Sequence, residues 1–168
     1  MIVRSEEPKD FEAVDQVNRL AFGQPDEAEI VASLRTSEAF IPGLSLVAED
    51  AGSIIGHILF TRLQLDPPTE ARVISLAPMS VLPDRQRLGV GSALVRHGLN
   101  VARGMGEDLV VVVGHPDYYP RFGFEPASRF GLRCPFPAPE DAFLALRLRR
   151  NVAVPSGEVV YPPELEGV

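Results

Sequence analysis

The 168-residue chain has one cysteine, three histidines and no tryptophan. A single thiol, Cys134, cannot close an internal disulfide, and this cysteine usage is typical of a reducing compartment, so we expect a cytoplasmic protein. Three scattered histidines and one cysteine form no metal-binding constellation, so no metal is expected. No apolar run reaches the roughly 20 residues that cross a bilayer, which predicts no membrane partner.

Basic residues are also scarce. Lys and Arg together number 16 against 23 Asp and Glu, which gives a formal net charge of -7. This balance argues against a nucleic-acid partner, because such proteins normally present a basic face. It leaves room for an anionic small ligand, since backbone amides and a few local arginines can hold phosphate within an acidic protein.

Length and hydrophobicity predict one folded domain. With 168 residues, of which 45% are hydrophobic, the chain is long enough for a real core. We interpret residues 1–168 as a single domain, in which residues 150–168 form a C-terminal tail or edge segment. Exposed strand edges near the C-terminus would allow a homodimer.

The first half of the chain predicts two helices and a strand meander. Ile2–Arg4 forms a short strand, helical periodicity runs to Phe22, and Asp26 with Glu29 has the spacing of a capping box before a second helix. Two strands then flank a turn at residues 50–52. A third meander strand, Ala71–Leu82, contains Pro78, which cannot donate to a strand ladder and therefore predicts a bulge or a missing neighbour there.

The second half predicts a crossover. A helix begins near Val90, and Asp108–Gly114 is an apolar run typical of a buried strand, which should lie parallel to the third meander strand. Ala142–Arg149 alternates like a last strand. The fold class is therefore α/β, with a mixed, mostly antiparallel central sheet and helices on both faces.

The stretch DRQRLGVGSALV, Asp84–Val95, joins the predicted strand to the predicted helix through two glycines. Helix N-termini carry unpaired amides and a partial positive charge, and glycine lets an anion approach, with Arg85 and Arg87 adding charge. A tight strand-to-helix turn is the alternative, and the glycines leave both open. The third dinucleotide-fingerprint glycine is missing, and the chain has no Gly-Lys pair for a Walker loop.

Two motifs resemble those of the GNAT superfamily of acyl-CoA N-acyltransferases. QRLGVG, residues 86–91, matches the pattern [QR]-x-x-G-x-[GA] of the superfamily's pyrophosphate turn, and YYPRFGF, residues 118–124, resembles its second signature. The doubled tyrosine after Gly-x-Pro is similar to a bacterial subgroup of that superfamily. The resemblance implies the GNAT sheet, with a splay between its fourth and fifth strands.

The resemblance also implies a site for acetyl-CoA. It assigns pantetheine pairing to the end of the fourth strand and pyrophosphate binding to the glycine turn. The implied cofactor-binding residues are Met79, Ser80, Val81, Gln86, Arg87, Leu88, Gly89, Val90, Gly91 and Ser92.

Tyr119 lies four residues before Gly123 and matches the superfamily tyrosine near the thioester sulfur. The implied role is that of a general acid that protonates the leaving thiolate, and a packed aromatic is the structural alternative. Tyr118 is interpreted as structural or substrate-facing.

A general base is not evident. Many relatives carry a Glu on the strand before the glycine turn, whereas ISLAPMSV here has no acidic residue. Glu29, His57, Glu70, His115 and a water relay all remain open. His97 is interpreted as a packed helix residue, and Cys134 lacks a paired base that would make it a nucleophile.

The implied activity is transfer of an acetyl group from acetyl-CoA to a small-molecule or peptide amine, by direct attack in a ternary complex. The missing strand carboxylate supports an alternative, a non-catalytic acyl-CoA-binding sensor or interaction domain. A nucleotide-binding α/β domain is a third hypothesis.

Overall fold

The computed structural model describes residues 1–151 and 153–165. Three α-helices and nine strands make up its regular structure. The helices are α1 (Phe11–Phe22), α2 (Asp26–Arg35) and α3 (Val90–Gly104). The strands are β1 (Ile2–Ser5), β2 (Phe40–Asp50), β3 (Ser53–Asp66), β4 (Val73–Val81), β5 (Leu109–Val113), β6 (Glu125–Pro126), β7 (Leu132–Arg133), β8 (Phe143–Arg147) and β9 (Gly157–Val160).

The main sheet runs in the order β1-β2-β3-β4-β5-β8-β6. All of its neighbouring strands are antiparallel except β4 and β5, which the α3 crossover makes parallel. The expected mixed, mostly antiparallel sheet is confirmed, as is the crossover.

Helices cover both faces because strand side chains alternate. On one face, α3 packs through Leu94 and Leu99 onto Ile58 and Phe60. Gly98 permits this close approach, since a Cβ there would collide with the Phe60 ring. On the other face, α1 and α2 pack onto β2 and β3. The contact residues are Val14, Val31, Leu34, Val47 and Leu59.

The two irregularities of β4 create the opening that positions the site. The register with β3 shifts between the Ile58–Met79 pair and the Phe60–Leu76 pair, which confirms the bulge predicted from Pro78. Pairing with β5 ends at Ser75 and Val111, so the two strands splay apart beyond these residues. The last part of β4 therefore has a strand neighbour only on its β3 side within the described residues.

Several local predictions were wrong. Pro25 occupies the N-cap position of α2, so Asp26 lies inside the helix and no side chain caps its start. His97 is exposed, because the buried side of α3 centres on Val95, Gly98 and Ala102, about a third of a turn away.

Phe143–Arg147 is not the last strand, since β9 follows it and pairs with β3. Strand β9 lies within the segment interpreted as a tail or edge. It buries Val159 against a cluster on the α1 and α2 side of the sheet. A four-residue strand next to prolines gives too short an alternation to be recognised from sequence.

Candidate active site

The turn between β4 and α3 holds an unusual backbone. Arg87 has φ 64°, and Gly89 has φ 88° at the N-cap of α3. Left-handed backbone costs a non-glycine residue about 1–2 kcal/mol, so Arg87 is held there by its surroundings. Gln86 helps, because its Nε2 donates a hydrogen bond of 3.1 Å to the Val81 carbonyl and ties the turn to the end of β4.

The amides of this turn are unused. Within residues 1–151 and 153–165, no well-formed hydrogen bond uses the amides from Arg87 to Ser92, and the first helical bond at this end is Ala93 N–H to the Gly89 carbonyl at 3.0 Å. The first turn of α3 carries no acidic side chain, whereas α2 carries Asp26, Glu27 and Glu29 there. The positive end of α3 is therefore uncompensated and suits an anion.

A cavity of about 650 Å³ opens beside this turn. Its walls come from α1, the end of β4, the glycine turn and the segment after β5. The lining residues are Ala21, Phe22, Met79, Ser80, Val81, Gln86, Arg87, Gly89, Gly91, Ser92, His115, Tyr118, Tyr119 and Arg121. Eight of the ten residues expected at a cofactor site therefore line one cavity together with Tyr119.

The other two residues contribute differently. Leu88 projects outward with 71% of its surface exposed, and Val90 is buried in the core beneath α3. Neither side chain lines the cavity, although both belong to the turn whose amides are unused.

Tyr119 is held rigidly at the cavity wall. Its ring packs over Gly114, where a Cβ would collide with it, and meets the Phe124 ring edge-on at a centroid distance of 5.6 Å. The side chain is 7% exposed, and its hydroxyl makes no hydrogen bond to any described residue. Burial raises the pKa of Tyr119 to about 12, so the phenol is protonated at neutral pH.

Tyr118 connects the same segment to α3. Its hydroxyl lies 3.4 Å from Ser92 Oγ, and a Cβ built on Gly91 would be 3.0 Å from that hydroxyl. Gly91 is therefore required by close packing as well as by access to the backbone. The Arg121 guanidinium lies 4.7 Å from the centre of the Tyr118 ring.

Cationic side chains without carboxylate partners gather here. Arg87, Arg96 and Arg121 form no ion pair in the described part of the chain, whereas Arg35 pairs with Glu6 at 2.9 Å. Arg121 also lines a neighbouring cavity of about 280 Å³ with Arg96. Unpaired cations beside unused amides in an acidic protein favour an anionic ligand.

Arg85 does not belong to this group. Its guanidinium donates to Asp50 Oδ2 at 2.9 Å, and it is absent from the cavity lining. The expectation that Arg85 supplies charge to the turn is therefore wrong, because the nearby β2–β3 hairpin offers it a carboxylate.

The four candidate bases are dispersed. His115 lines the cavity, whereas Glu29 is exposed on α2 and Glu70 is exposed in the loop before β4. His57 is fully buried and absent from the lining. No carboxylate lines the cavity within the described residues.

The surroundings of His57 are those of a structural residue. Asn18 Nδ2 lies 3.4 Å from His57 Nδ1 and Ser45 Oγ lies 3.0 Å from Nε2, so both ring nitrogens have polar partners. Glu6 Oε2 lies 3.6 Å from Nε2, but Arg35 holds that carboxylate with two hydrogen bonds. Burial, with a smaller effect of Arg35, lowers the pKa of His57 to about 3, so the ring is neutral.

Two other chemistries find no support in the described residues. No group of three or more His, Cys, Asp or Glu side chains is arranged to hold a metal ion. Burial raises the pKa of the Cys134 thiol, which disfavours the nucleophilic thiolate. In the described part of the chain, none of the helices is both long and apolar enough to cross a bilayer.

The fold is that of the GNAT acetyltransferases. The family model for the acetyltransferase (GNAT) domain matches residues 3–127, so the chain belongs to the GNAT acetyltransferase family and is an N-acetyltransferase by class. The chain is 43% identical over 134 residues to the uncharacterized N-acetyltransferase YjhQ of Escherichia coli, covering 79% of this chain and 74% of that protein.

Two solved structures share the whole fold. The first is the E. coli GNAT family N-acetyltransferase YhbS in complex with CoA, with a TM-score of 0.87 and 32% identity, covering 97% of this chain and 90% of that one. The second is a GNAT family acetyltransferase from Brucella melitensis in complex with acetyl-CoA, with a TM-score of 0.80 and 34% identity, covering 97% and 96%.

Proposed function

We propose that this cavity binds acetyl-CoA and that the protein transfers its acetyl group directly to an amine in a ternary complex. The observation that carries the proposal is the juxtaposition, in one cavity, of the unused amides of Arg87–Ser92, the unpaired end of β4 and the Tyr119 hydroxyl. An extended anionic thioester would use all three features.

The cofactor fits the residues present. The uncompensated N-terminus of α3 would hold the pyrophosphate, with Gln86 fixing the turn. The pantetheine arm would pair with β4 at Met79, Ser80 and Val81, whose β5-facing edge has no strand neighbour in the described residues. Bound acetyl-CoA supplies an activated acetyl group with a thiolate as its leaving group.

Tyr119 is assigned to that leaving group. Because its pKa is about 12, the phenol stays neutral and can donate a hydrogen bond to a sulfur that gains negative charge. An ordinary thiol has a pKa of about 8.5, so complete proton transfer from the phenol to the departing thiolate would be uphill. The hydrogen bond from the phenol strengthens as charge develops on the sulfur, and the proton that the amine loses is the one that finally neutralises the thiolate, so Tyr119 ends the reaction protonated.

Proton removal from the amine is assigned to His115 or to water. Among the four side-chain candidates, only His115 lines the cavity. Since no carboxylate of the described residues lines the cavity as an alternative base, the acceptor enters already neutral or passes its proton to one of these two.

The remaining expectations fit this activity. We propose that residues 1–168 form one domain, since β9 ties the segment after residue 150 to β3. Acetyl-CoA as co-substrate and the single cysteine support a cytoplasmic protein. The acceptor is a small-molecule or peptide amine, and a homodimer through exposed strand edges remains part of the proposal.

The test combines binding and turnover. Calorimetry should show that CoA binds more tightly than 3′-phospho-ADP, which keeps the pyrophosphate and lacks pantetheine. Free-thiol release from acetyl-CoA should then depend on an added amine from a panel of monoamines, polyamines, amino acids and peptides. Binding without amine-dependent thiol release would favour the sensor, which the missing carboxylate supports, and equal binding of both nucleotides would favour a general nucleotide-binding domain.

A further inference from the structure

A second cavity, of about 240 Å³, borders the strand splay. It is lined by Ser75, Leu76, Ala77, Val113, Phe136, Tyr161 and Leu165. Tyr119 packs in the core cluster beneath α3, whereas Val111 packs in the cluster that Tyr161 covers. Side chains two residues apart share a face, so Val113 points away from Tyr119.

The floor of this second cavity is formed by the ends of β4 and β5, where the two strands no longer pair. Pairing between β4 and β5 ends at Ser75 and Val111, and Ala77 and Val113 lie two residues farther along their strands. Ala77 lies two residues before Met79 and Val113 lies two residues before His115, and Met79 and His115 line the first cavity. A molecule resting on Ala77 and Val113 therefore lies next to the first cavity along the chain on both sides of the gap.

The lining chemistry is apolar and partly aromatic. Val113 and Phe136 remain 44% and 43% exposed although both are large apolar side chains. The rings of Phe136 and Tyr161 have centroids 5.8 Å apart and an interplanar angle of 33°, so they form one continuous aromatic wall. The side chains that line this cavity carry no charge, and only Ser75 and Tyr161 bring hydroxyl groups.

This lining discriminates among amines. A diamine or polyamine would place a second ammonium group in this cavity. That group would lose its hydration without gaining a carboxylate partner, which is costly. A planar apolar group would instead cover exposed apolar surface and stack on the rings. The volume lies below the usual range for drug-sized ligands, so the occupant is small.

We propose that this cavity is the acceptor site and that it selects small monoamines carrying a planar aromatic group, which lies against Phe136 and Tyr161. This inference rests on the proposed function. In the reaction, the amine nitrogen forms a C–N bond to the acetyl carbon and the C–S bond breaks. The nitrogen proton leaves to His115 or water, and the thiolate is protonated with the help of Tyr119.

A different acceptor would leave a different signature. On the other side of Tyr161 lies a cavity of about 390 Å³ whose lining includes Glu38, Arg62 and Glu164. Its two carboxylates would suit a polyamine. Preference for a polyamine would therefore assign acceptor recognition to that cavity instead.

The experiment compares kcat/KM for 2-phenylethylamine, hexylamine and spermidine by free-thiol release at saturating acetyl-CoA. We expect 2-phenylethylamine to exceed spermidine by about 10-fold or more, with hexylamine between them. Phe136→Ala and Tyr161→Ala should each lower kcat/KM for 2-phenylethylamine by about 10-fold and leave the KM for acetyl-CoA unchanged. Phe11→Ala, at a similarly exposed phenylalanine on α1, is the matched control and should change neither value.

Three outcomes would overturn the inference while CoA binding by calorimetry stays intact. They are preference for spermidine, unchanged kinetics in both aromatic variants, and absence of 2-phenylethylamine acetylation. Failure of CoA to bind would instead overturn the proposed function. Because Phe136 is half-exposed, its alanine variant should keep the wild-type melting temperature, which separates a binding defect from unfolding.

Discussion

Two polar regions of the molecule use their hydrogen bonds in opposite ways. Beneath α1, His57 is fully buried and both of its ring nitrogens have partners, Asn18 and Ser45. At the start of α3, six successive amides have no partner among the described residues, and Arg87 keeps a costly backbone conformation. The first arrangement stabilises the fold, whereas the second leaves backbone donors available to bind a ligand. A buried titratable group is therefore a weaker sign of function here than unused donors are.

The most damaging change to the α3 region should be Tyr119→Phe. It removes one hydroxyl that has no described hydrogen-bond partner, so the fold should be unaffected, while loss of the donor to the leaving sulfur should lower kcat by about 100-fold. Tyr118→Phe is the matched control and should lower kcat by less than about 3-fold, since its hydroxyl makes only a long contact to Ser92. Equal losses in both variants would contradict the assignment.

Gly91→Val should weaken CoA binding by about 30-fold, which corresponds to about 2 kcal/mol. The new side chain would meet the Tyr118 hydroxyl and Met79 Sδ, at 3.0 and 3.3 Å from its Cβ, and would force them into the cavity. Gly104→Ala at the other end of α3 has open space and should bind CoA like the wild type. Calorimetry measures both, and undiminished CoA affinity in Gly91→Val would place the cofactor elsewhere.

His57→Gln should sharpen the contrast by affecting stability and not activity. The folded pKa of about 3 lies below the ordinary 6.5, so the contribution of the neutral ring is complete above pH 6.5 and is lost as pH falls towards 3. The variant should be less stable at pH 7 by about 1–3 kcal/mol and less sensitive to acid, with kcat within about 2-fold. Urea titrations at pH 7 and pH 4 test this, and a large loss of kcat in a folded variant would restore His57 as a base.

The smallest expected effect is in the alkaline pH profile. The rate should rise with pH up to about 10 as the acceptor amine, whose ordinary pKa is about 10, loses its proton, because the raised pKa keeps Tyr119 protonated over this range. Stability linked to Tyr119 is complete below pH 10 and declines only as pH rises towards 12. Initial rates between pH 7 and 10 on a prototype monoamine would show this continuous rise. A fall in rate centred near pH 9 would mean that a different acid donates the proton.

The sequence predicts the scaffold well because its signals are local and periodic. Proline at position 78 predicts a bulge from its missing donor alone, and the apolar run before Gly114 predicts a buried parallel strand. The glycine turn is identified by resemblance, but its unused amides become evident only when every neighbouring carbonyl is placed.

Other features depend on tertiary contacts that no local pattern encodes. Arg85 pairs with Asp50 of the β2–β3 hairpin, 35 residues away in the sequence, and the aromatic wall joins Phe136 of a proline-rich loop to Tyr161 beyond β9. The order of these segments in the chain gives no sign that they meet. The aromatic wall on which the proposed substrate selection rests is therefore a property of the assembled fold.

The central claim is that the amides of Arg87–Ser92 receive the pyrophosphate of CoA, and amide NMR tests it most directly. On titration with CoA, the backbone resonances of Leu88, Gly89 and Gly91 should show the largest changes and become protected from hydrogen exchange, whereas the amides around Ala51 in the β2–β3 turn should stay unchanged. CoA binding that leaves the three glycine-turn resonances in place would contradict the account.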